Sequence, residues 1–168
     1  VVTEHLAGAA FPLVVDPVCV SQSGARLLEA DAVSALRERL IPLAALVTPN
    51  LPEAMELSGV EVTGRDAARE AARRILAMKD ATGRGPGAVL IKGGHDAASS
   101  GSVTDLLVLA DGRETEIVRK RLATKNTHGT GCTLSAAIAA HLALGEDLQT
   151  AATKARDYLH LCLRAAYD

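Results

Sequence analysis

Three short apolar runs constrain the fold most. Leu13-Val14-Val15, Ala45-Leu46-Val47 and Ala88-Val89-Leu90-Ile91 each stop at a polar residue followed by Pro or Gly. Continuous apolar runs of this length read as strands buried on both faces. Stretches of helical period lie between them. Residues from Ala30 to Leu40 set Val33, Leu36 and Leu40 on one side, and Pro42 closes that helix. After Thr48-Pro49-Asn50 a short helix carries Glu53, Met55 and Leu57 as far as Gly59. A longer helix, with Thr63 as its candidate cap, places Ala68, Ala71, Ala72, Ile75 and Leu76 on one face and Arg65, Asp66, Arg69, Glu70 and Arg73 on the other.

Thr82 to Gly87 reads as a loop, and Asp96 to Ser102 as a mobile one. Leu106 to Ala110, Asp111-Gly112 and Glu114 to Val118 predict a hairpin. A final amphipathic helix runs from Asp147 onward and buries Ala151, Ala155, Leu159 and Leu163. Strand and helix alternate, which predicts an α/β fold: a mainly parallel sheet with helices on both faces, in one domain over residues 1–168.

A chain of 168 residues suffices for one such core. Hydrophobic residues make up 48% but aromatics only 2%, so Ala, Val and Leu must fill that core. A net charge of −2 gives no electrostatic case for nucleic acid or an acidic membrane surface. No apolar run approaches the ~18 residues of a membrane span, and no signal-peptide pattern opens the chain. Three cysteines without CxxC spacing fit a reducing cytoplasm. Cys19 and Cys162 read as small core residues. Val1 to Ala10 reads as the last turns of a helix without a cap or start methionine, so a preceding piece of the natural protein is expected to be absent.

Cys132 stands apart because of its neighbours. Thr127-His128-Gly129-Thr130-Gly131-Cys132 runs directly into Thr133-Leu134-Ser135-Ala136-Ala137-Ile138-Ala139-Ala140. A helix this apolar on every side is expected to be buried. Its first N–H groups lack intrahelical partners and its dipole is positive at that end, so the turn suits an anion. Glycines let the backbone approach that anion closely. The thiol then falls where a reacting group would lie.

Polar residues also mark three strand ends: Asp16-Pro17-Val18, Asn50-Leu51-Pro52-Glu53 and Lys92-Gly93-Gly94-His95. In a parallel sheet these project from one edge, where open α/β sheets carry ligands. Carboxylate oxygens suit Mg²⁺, and a lysine point charge suits a polyphosphate. Each element has a plainer reading. Asp16 could cap a turn, Asn50 and Glu53 could be a helix-capping pair, and Lys92 and His95 could be surface residues. His128 reads as a lid or hydrogen-bonding residue, since no second ligand stands at helical spacing from it. The turn matches neither the P-loop nor the G-x-G-x-x-G dinucleotide pattern.

Taken together, these segments resemble the hydroxymethylpyrimidine/phosphomethylpyrimidine kinases of thiamine biosynthesis, members of the ribokinase-like superfamily. The resemblance rests on Val15-Asp16-Pro17-Val18 with Ser23-Gly24, on Thr48 to Ala54, on Ile91 to His95 and on Lys125 to Ala136. The last is the most specific, because most ribokinase-like enzymes carry Asp where Cys132 stands. A ribokinase-like three-layer α/β/α fold is implied, with its N-terminal strands missing from this chain.

The resemblance also implies roles. Cys132 would take the proton from the substrate hydroxyl, or from the phosphate monoester in the second phosphorylation. Backbone N–H groups of Gly129, Thr130, Gly131 and Cys132 would stabilise the transferring phosphoryl group. Asn50 and Glu53 would organise Mg²⁺ and phosphates, with Asp16 holding the metal through water. Lys92 would neutralise the phosphates of ATP, with Thr127 and His128 near the same tail, and Asp105 would touch the nucleotide.

ATP, Mg²⁺ and a small pyrimidine are therefore the expected partners, and a homodimer stays open. The family's pyrimidine-binding glycine-rich segment has no counterpart here, so these 168 residues alone are expected to bind nucleotide without turnover. Gln22 stands where many relatives are expected to carry lysine. A pyridoxal kinase shares the cysteine base and remains an alternative. A thiol hydrolase or transferase using Cys132 and His128, and a non-catalytic domain sensing a phosphorylated metabolite, are readings of other classes.

Overall fold

The computed structural model describes residues 2–19, 27–93, 101–125 and 127–166. After a short helix α1 (Val2–Leu6) the chain enters β1 (Val14–Val15), then α2 (Ala30–Ala35). The helical path continues as a wide π turn over Leu36–Leu40 and a tight 3₁₀ turn over Ile41–Leu43, so Pro42 sits inside the last turn of the path. There follow β2 (Leu46–Val47), α3 (Leu51–Ser58), α4 (Arg65–Leu76), β3 (Ala88–Ile91), β4 (Ser102–Leu109), β5 (Glu114–Lys120), α5 (Thr130–Ala143) and α6 (Leu148–Ala165). Gly59 ends α3 with φ of 70°, a left-handed conformation that favours glycine. The N-cap of α4 is Gly64 rather than Thr63, and no side chain caps that helix.

The five strands lie in the order β1-β2-β3-β4-β5. β1 pairs with β2 and β2 with β3 in parallel, with Val14 opposite Leu46 and Val47 opposite Val89. β3 with β4 and β4 with β5 are antiparallel, so the sheet is mixed rather than mainly parallel. The chain between Ile91 and Ser102 is shorter than a helical crossover needs. The turn at Asp111-Gly112 joins β4 and β5 as a hairpin, longer at both ends than Leu106–Val118 suggests.

Two-residue alternation along the strands feeds two cores. Val15, Val47, Val89, Ile91, Leu106 and Val108 face Ala54 and Leu57 of α3 and Ala68, Ala71, Ala72 and Ile75 of α4. Leu46, Ala88, Leu90, Leu107 and Ile117 face Leu134 and Ile138 of α5 and Ala151, Ala152, Ala155 and Leu159 of α6. The result is the three-layer α/β/α architecture. Small alanines let α4 and α6 lie close to the sheet. Each fully buried Leu or Ile contributes about 1.5–3 kcal/mol.

α5 corrects one expectation. Only Leu134, Ser135 and Ile138 of that helix are buried, and Ala136, Ala140 and Ala143 are exposed. An alanine face carries little apolar area per residue, so a helix can leave it in water after seating a Leu/Ile seam. No helix among the described residues is long and apolar enough to cross a membrane.

Candidate active site

The carboxyl ends of β1, β2 and β3 meet at one edge. Beyond the strands, Asn50 and Lys92 form a parallel bridge, and the Lys92 N–H donates to the Pro49 carbonyl at 2.8 Å. This sets the Lys92 side chain over the end of β1. Its Nζ donates to Asp16 Oδ1 at 2.7 Å and lies 3.8 Å from Glu53 Oε2. All three side chains are largely buried, at 12%, 16% and 3% exposure, so the cluster is only weakly screened by solvent.

The capping reading of Asn50 and Glu53 is realised. Glu53 N–H donates to Asn50 Oδ1 at 2.8 Å, and Asn50 N–H donates to Glu53 Oε2 at 2.7 Å. This reciprocal pair starts α3 just before Pro52. It also holds the Glu53 carboxylate toward the strand ends. Burial pushes that carboxyl up from its usual range, and Asp16 adds to the effect, while the Asn50 N–H and Lys92 pull it back.

The tip of α5 closes the site from the opposite layer. Gly129 precedes the helix with φ of 75°, a conformation that turns the chain sharply into Thr130. The Thr130 hydroxyl donates to the Thr127 carbonyl at 2.9 Å and steadies that corner. A Cβ on Gly131 would stand 3.1 Å from Lys92 Nζ and 3.8 Å from Asp16 Oδ2, so the helix tip lies directly against the cation. Cys132 is exposed.

A cleft of about 290 Å³ opens between these parts. Asp16, Asn50, Glu53, Lys92, Asp105, Thr127, His128, Gly129, Thr130, Gly131 and Cys132 all line it. Ser23, Gly24, Gln22, Gly94, His95, Asn126 and most of the 96–102 loop lie outside the described residues.

Asp105 differs from the expectation of an open nucleotide contact. It is 1% exposed, and its Oδ1 accepts the Gly93 N–H at 2.9 Å. Its Oδ2 faces Arg156 Nε of α6 at 3.0 Å, an ion pair without the alignment of a hydrogen bond. Burial pushes the Asp105 carboxyl up, opposed by Arg156, the Gly93 N–H and Lys92. This carboxylate is committed to the protein. The group it presents to the cleft is the Arg156 guanidinium, which sequence reasoning passed over.

A second cavity of about 390 Å³ shares Thr127, Thr130, Arg156 and Leu159 with the first and adds Arg119, Lys120, Arg121 and His160. Cations line both, Lys92 and Arg156 the first and Arg119, Lys120, Arg121 and Arg156 the second.

Among the described residues no three metal-binding side chains form a cluster. Asp16 and Glu53, two carboxylates 2.7 and 3.8 Å from Lys92 Nζ, fit a magnesium ion that brings most of its ligands as water and phosphate oxygens.

Residues 1–168 match the phosphomethylpyrimidine kinase family. The chain belongs to that family. A hydroxymethylpyrimidine/phosphomethylpyrimidine kinase of Haemophilus influenzae is 42% identical over 160 residues, covering 94% of this chain and 57% of its own length. The fold is similar to the crystal structure of a phosphomethylpyrimidine kinase from Clostridium difficile, with a TM-score of 0.76 at 36% identity, covering 96% of this chain and 62% of that one. It is also similar to a Staphylococcus aureus pyridoxal kinase in complex with AMP-PCP, with a TM-score of 0.83 at 29% identity, covering 99% and 57%. This member of the phosphomethylpyrimidine kinase family thus spans little more than half the length of the curated kinases it matches.

Proposed function

We propose that this chain carries the phosphoryl-transfer machinery of an ATP-dependent kinase acting on hydroxymethylpyrimidine and then on its monophosphate, in thiamine biosynthesis. One observation carries the reading. The Gly129–Cys132 tip stands against Lys92 Nζ, with Asp16 and Glu53 beside it, so amide donors, a cation, two carboxylates and a thiol share one cleft.

Phosphoryl transfer asks for alignment and charge neutralisation more than covalent chemistry. Lys92 presents a point charge to the phosphate tail. The free N–H groups at the start of α5 converge on the oxygens of the phosphoryl group in transit, aided by the helix dipole. Cys132 Sγ accepts the proton of the substrate hydroxyl as that oxygen bonds to phosphorus and the bond to ADP breaks. In the second phosphorylation it accepts the proton of the monophosphate. Asp16 and Glu53 would hold the magnesium ion, which when bound supplies further neutralisation of the phosphate oxygens.

Arg156 extends the cationic lining into the second cavity, where the nucleoside end of ATP would lie. One domain and a cytoplasmic location complete the proposal.

The fold likeness to the pyridoxal kinase favours a second reading within the same chemistry. The test is phosphate transfer from ATP by the full-length gene product, with hydroxymethylpyrimidine and pyridoxal as competing acceptors. The expected result is a kcat/KM at least about tenfold higher for the pyrimidine. Preference for pyridoxal would replace the first reading with the second, and transfer to neither would contradict both.

A further inference from the structure

The hydroxyls of Thr48 and Ser135 form a buried chain between the end of β1 and the first turn of α5. Thr48 is fully buried and Ser135 is 7% exposed. Thr48 Oγ1 lies 3.1 Å from Asp16 Oδ1 and 2.9 Å from Ser135 Oγ, and Ser135 Oγ lies 3.0 Å from the Gly131 carbonyl. A longer contact of 3.5 Å joins Thr48 Oγ1 to the Val15 carbonyl, which already accepts the Thr48 N–H at 3.0 Å.

Each hydroxyl has one proton to give. If Thr48 donates to Asp16 and Ser135 to Gly131, both protons are used but the two hydroxyl oxygens face each other at 2.9 Å with no proton between them, which disfavours that arrangement. Two arrangements use both protons and keep the Thr48–Ser135 hydrogen bond. In one, Ser135 donates to Thr48 and Thr48 donates to Asp16, so the Gly131 carbonyl receives no hydroxyl. In the other, Thr48 donates to Ser135 and Ser135 donates to Gly131, leaving Asp16 Oδ1 to Lys92. A carboxylate is the stronger acceptor, which favours the first arrangement. A cation drawing more strongly on the same carboxylate weakens that preference.

We propose that Thr48 and Ser135 are positioning residues that couple the state of Asp16 to the phosphate-gripping turn by reversing this two-proton chain. When a second cation joins Lys92 on Asp16, the second arrangement adds a hydrogen bond at the Gly131 carbonyl and tightens the turn that carries Cys132. When Lys92 alone draws on Asp16, the turn loosens. The proposal rests on the phosphoryl-transfer reading for its consequence in catalysis, but the chain itself is a feature of the fold.

The experiment compares Thr48→Val, Thr48→Ser, Ser135→Ala and the Thr48→Val/Ser135→Ala pair in the full-length gene product, with ATP and hydroxymethylpyrimidine. Ser135→Ala removes the donor to the Gly131 carbonyl and is expected to lower kcat about tenfold, the equivalent of one net hydrogen bond, with KM for ATP within about twofold. Thr48→Val leaves Ser135 only the Gly131 carbonyl as acceptor, so its loss is smaller, and Thr48→Ser behaves as the wild type. The double variant falls no further than Ser135→Ala, because both act through one chain. Unchanged kcat in Ser135→Ala, a loss in Thr48→Val as large as in Ser135→Ala, or multiplicative losses in the pair would overturn the proposal.

If the wild-type protein transfers no phosphate, the kinase reading fails separately. Amide exchange of residues 131–135 then decides the matter. Ser135→Ala is expected to speed it about tenfold, with the later turns of α5 unchanged, and Thr48→Val is expected not to. Wild-type exchange in Ser135→Ala, or equally fast exchange in both variants, overturns the coupling.

Discussion

Lys92 Nζ and Asp16 Oδ1 meet at 2.7 Å, so one ion pair ties the end of β3 to the end of β1 across β2. Glu53 lies behind the same cation at 3.8 Å. Removing the lysine would leave two carboxylates facing each other in a poorly solvated corner. Lys92→Met is therefore expected to cost about 2–5 kcal/mol of stability and to weaken ATP binding by at least about tenfold. Chemical denaturation and calorimetry with ATP check the two effects, and a variant that binds ATP as tightly as the wild type would remove Lys92 from the phosphate site.

Two glycines should respond to alanine in opposite ways. A Cβ on Gly93 would collide with the Thr104 backbone carbonyl, and neither strand end can yield. A Cβ on Gly131 would press on the far end of the Lys92 side chain, at 3.1 Å, with Asp16 Oδ2 at an ordinary contact distance of 3.8 Å. Gly93→Ala is expected to lose about 3 kcal/mol or more of stability. Gly131→Ala should melt within a few degrees of the wild type yet lose ATP-dependent transfer, because it displaces the cation. Thermal melting and a transfer assay on both variants check the contrast.

The buried Asp105–Arg156 pair should behave as a unit. Arg156→Met strands a carboxylate that is 1% exposed, at an expected cost of about 3 kcal/mol. Asp105→Asn combined with Arg156→Met should recover much of that loss, since no charge is then left unpaired. The double-variant cycle, read by denaturant unfolding, should show a coupling of about 1 kcal/mol or more. Additive losses would mean that the pair contributes nothing jointly.

Glu53 predicts a pH dependence of definite sign. Burial raises its carboxyl above the ordinary value, so the unfolded chain gives up that proton first as pH rises. The folded form is then favoured at low pH and loses stability as pH climbs from the ordinary carboxylate range through the raised folded value. Glu53→Gln keeps an oxygen for the Asn50 N–H and removes the ionisation. Its melting temperature should vary less than that of the wild type between about pH 4 and 7 and should not fall below it at the upper end. Identical pH profiles would contradict the raised value.

Much of this site is readable from the chain because its chemistry sits at element boundaries. Asp16, Asn50 and Lys92 stand just past the ends of apolar runs and the Gly129–Cys132 turn just before one, and the strand-helix alternation carries them to one edge. Arg156 is hidden for a physical reason. It occupies an amphipathic helix where arginine ordinarily marks the solvated face, and only the position of α6 over Asp105 reveals it. Thr48 and Ser135 are hidden because small hydroxyls tolerate apolar surroundings once a partner is within reach. The exposed alanines of α5 mislead in the other direction, since apolar composition alone does not say how much area a helix must bury. The antiparallel pairing of β3 and β4 follows from a connection length whose consequence emerges only when both strand limits are known.

Replacing Cys132 by alanine tests the central assignment most directly. The full-length gene product carrying Cys132→Ala, assayed with ATP and hydroxymethylpyrimidine, should lose at least about a hundredfold in kcat, as expected for a lost general base. Its ADP affinity by calorimetry should stay within a few-fold of the wild type. A variant that turns over at the wild-type rate would contradict the placing of the proton-accepting group at the tip of α5.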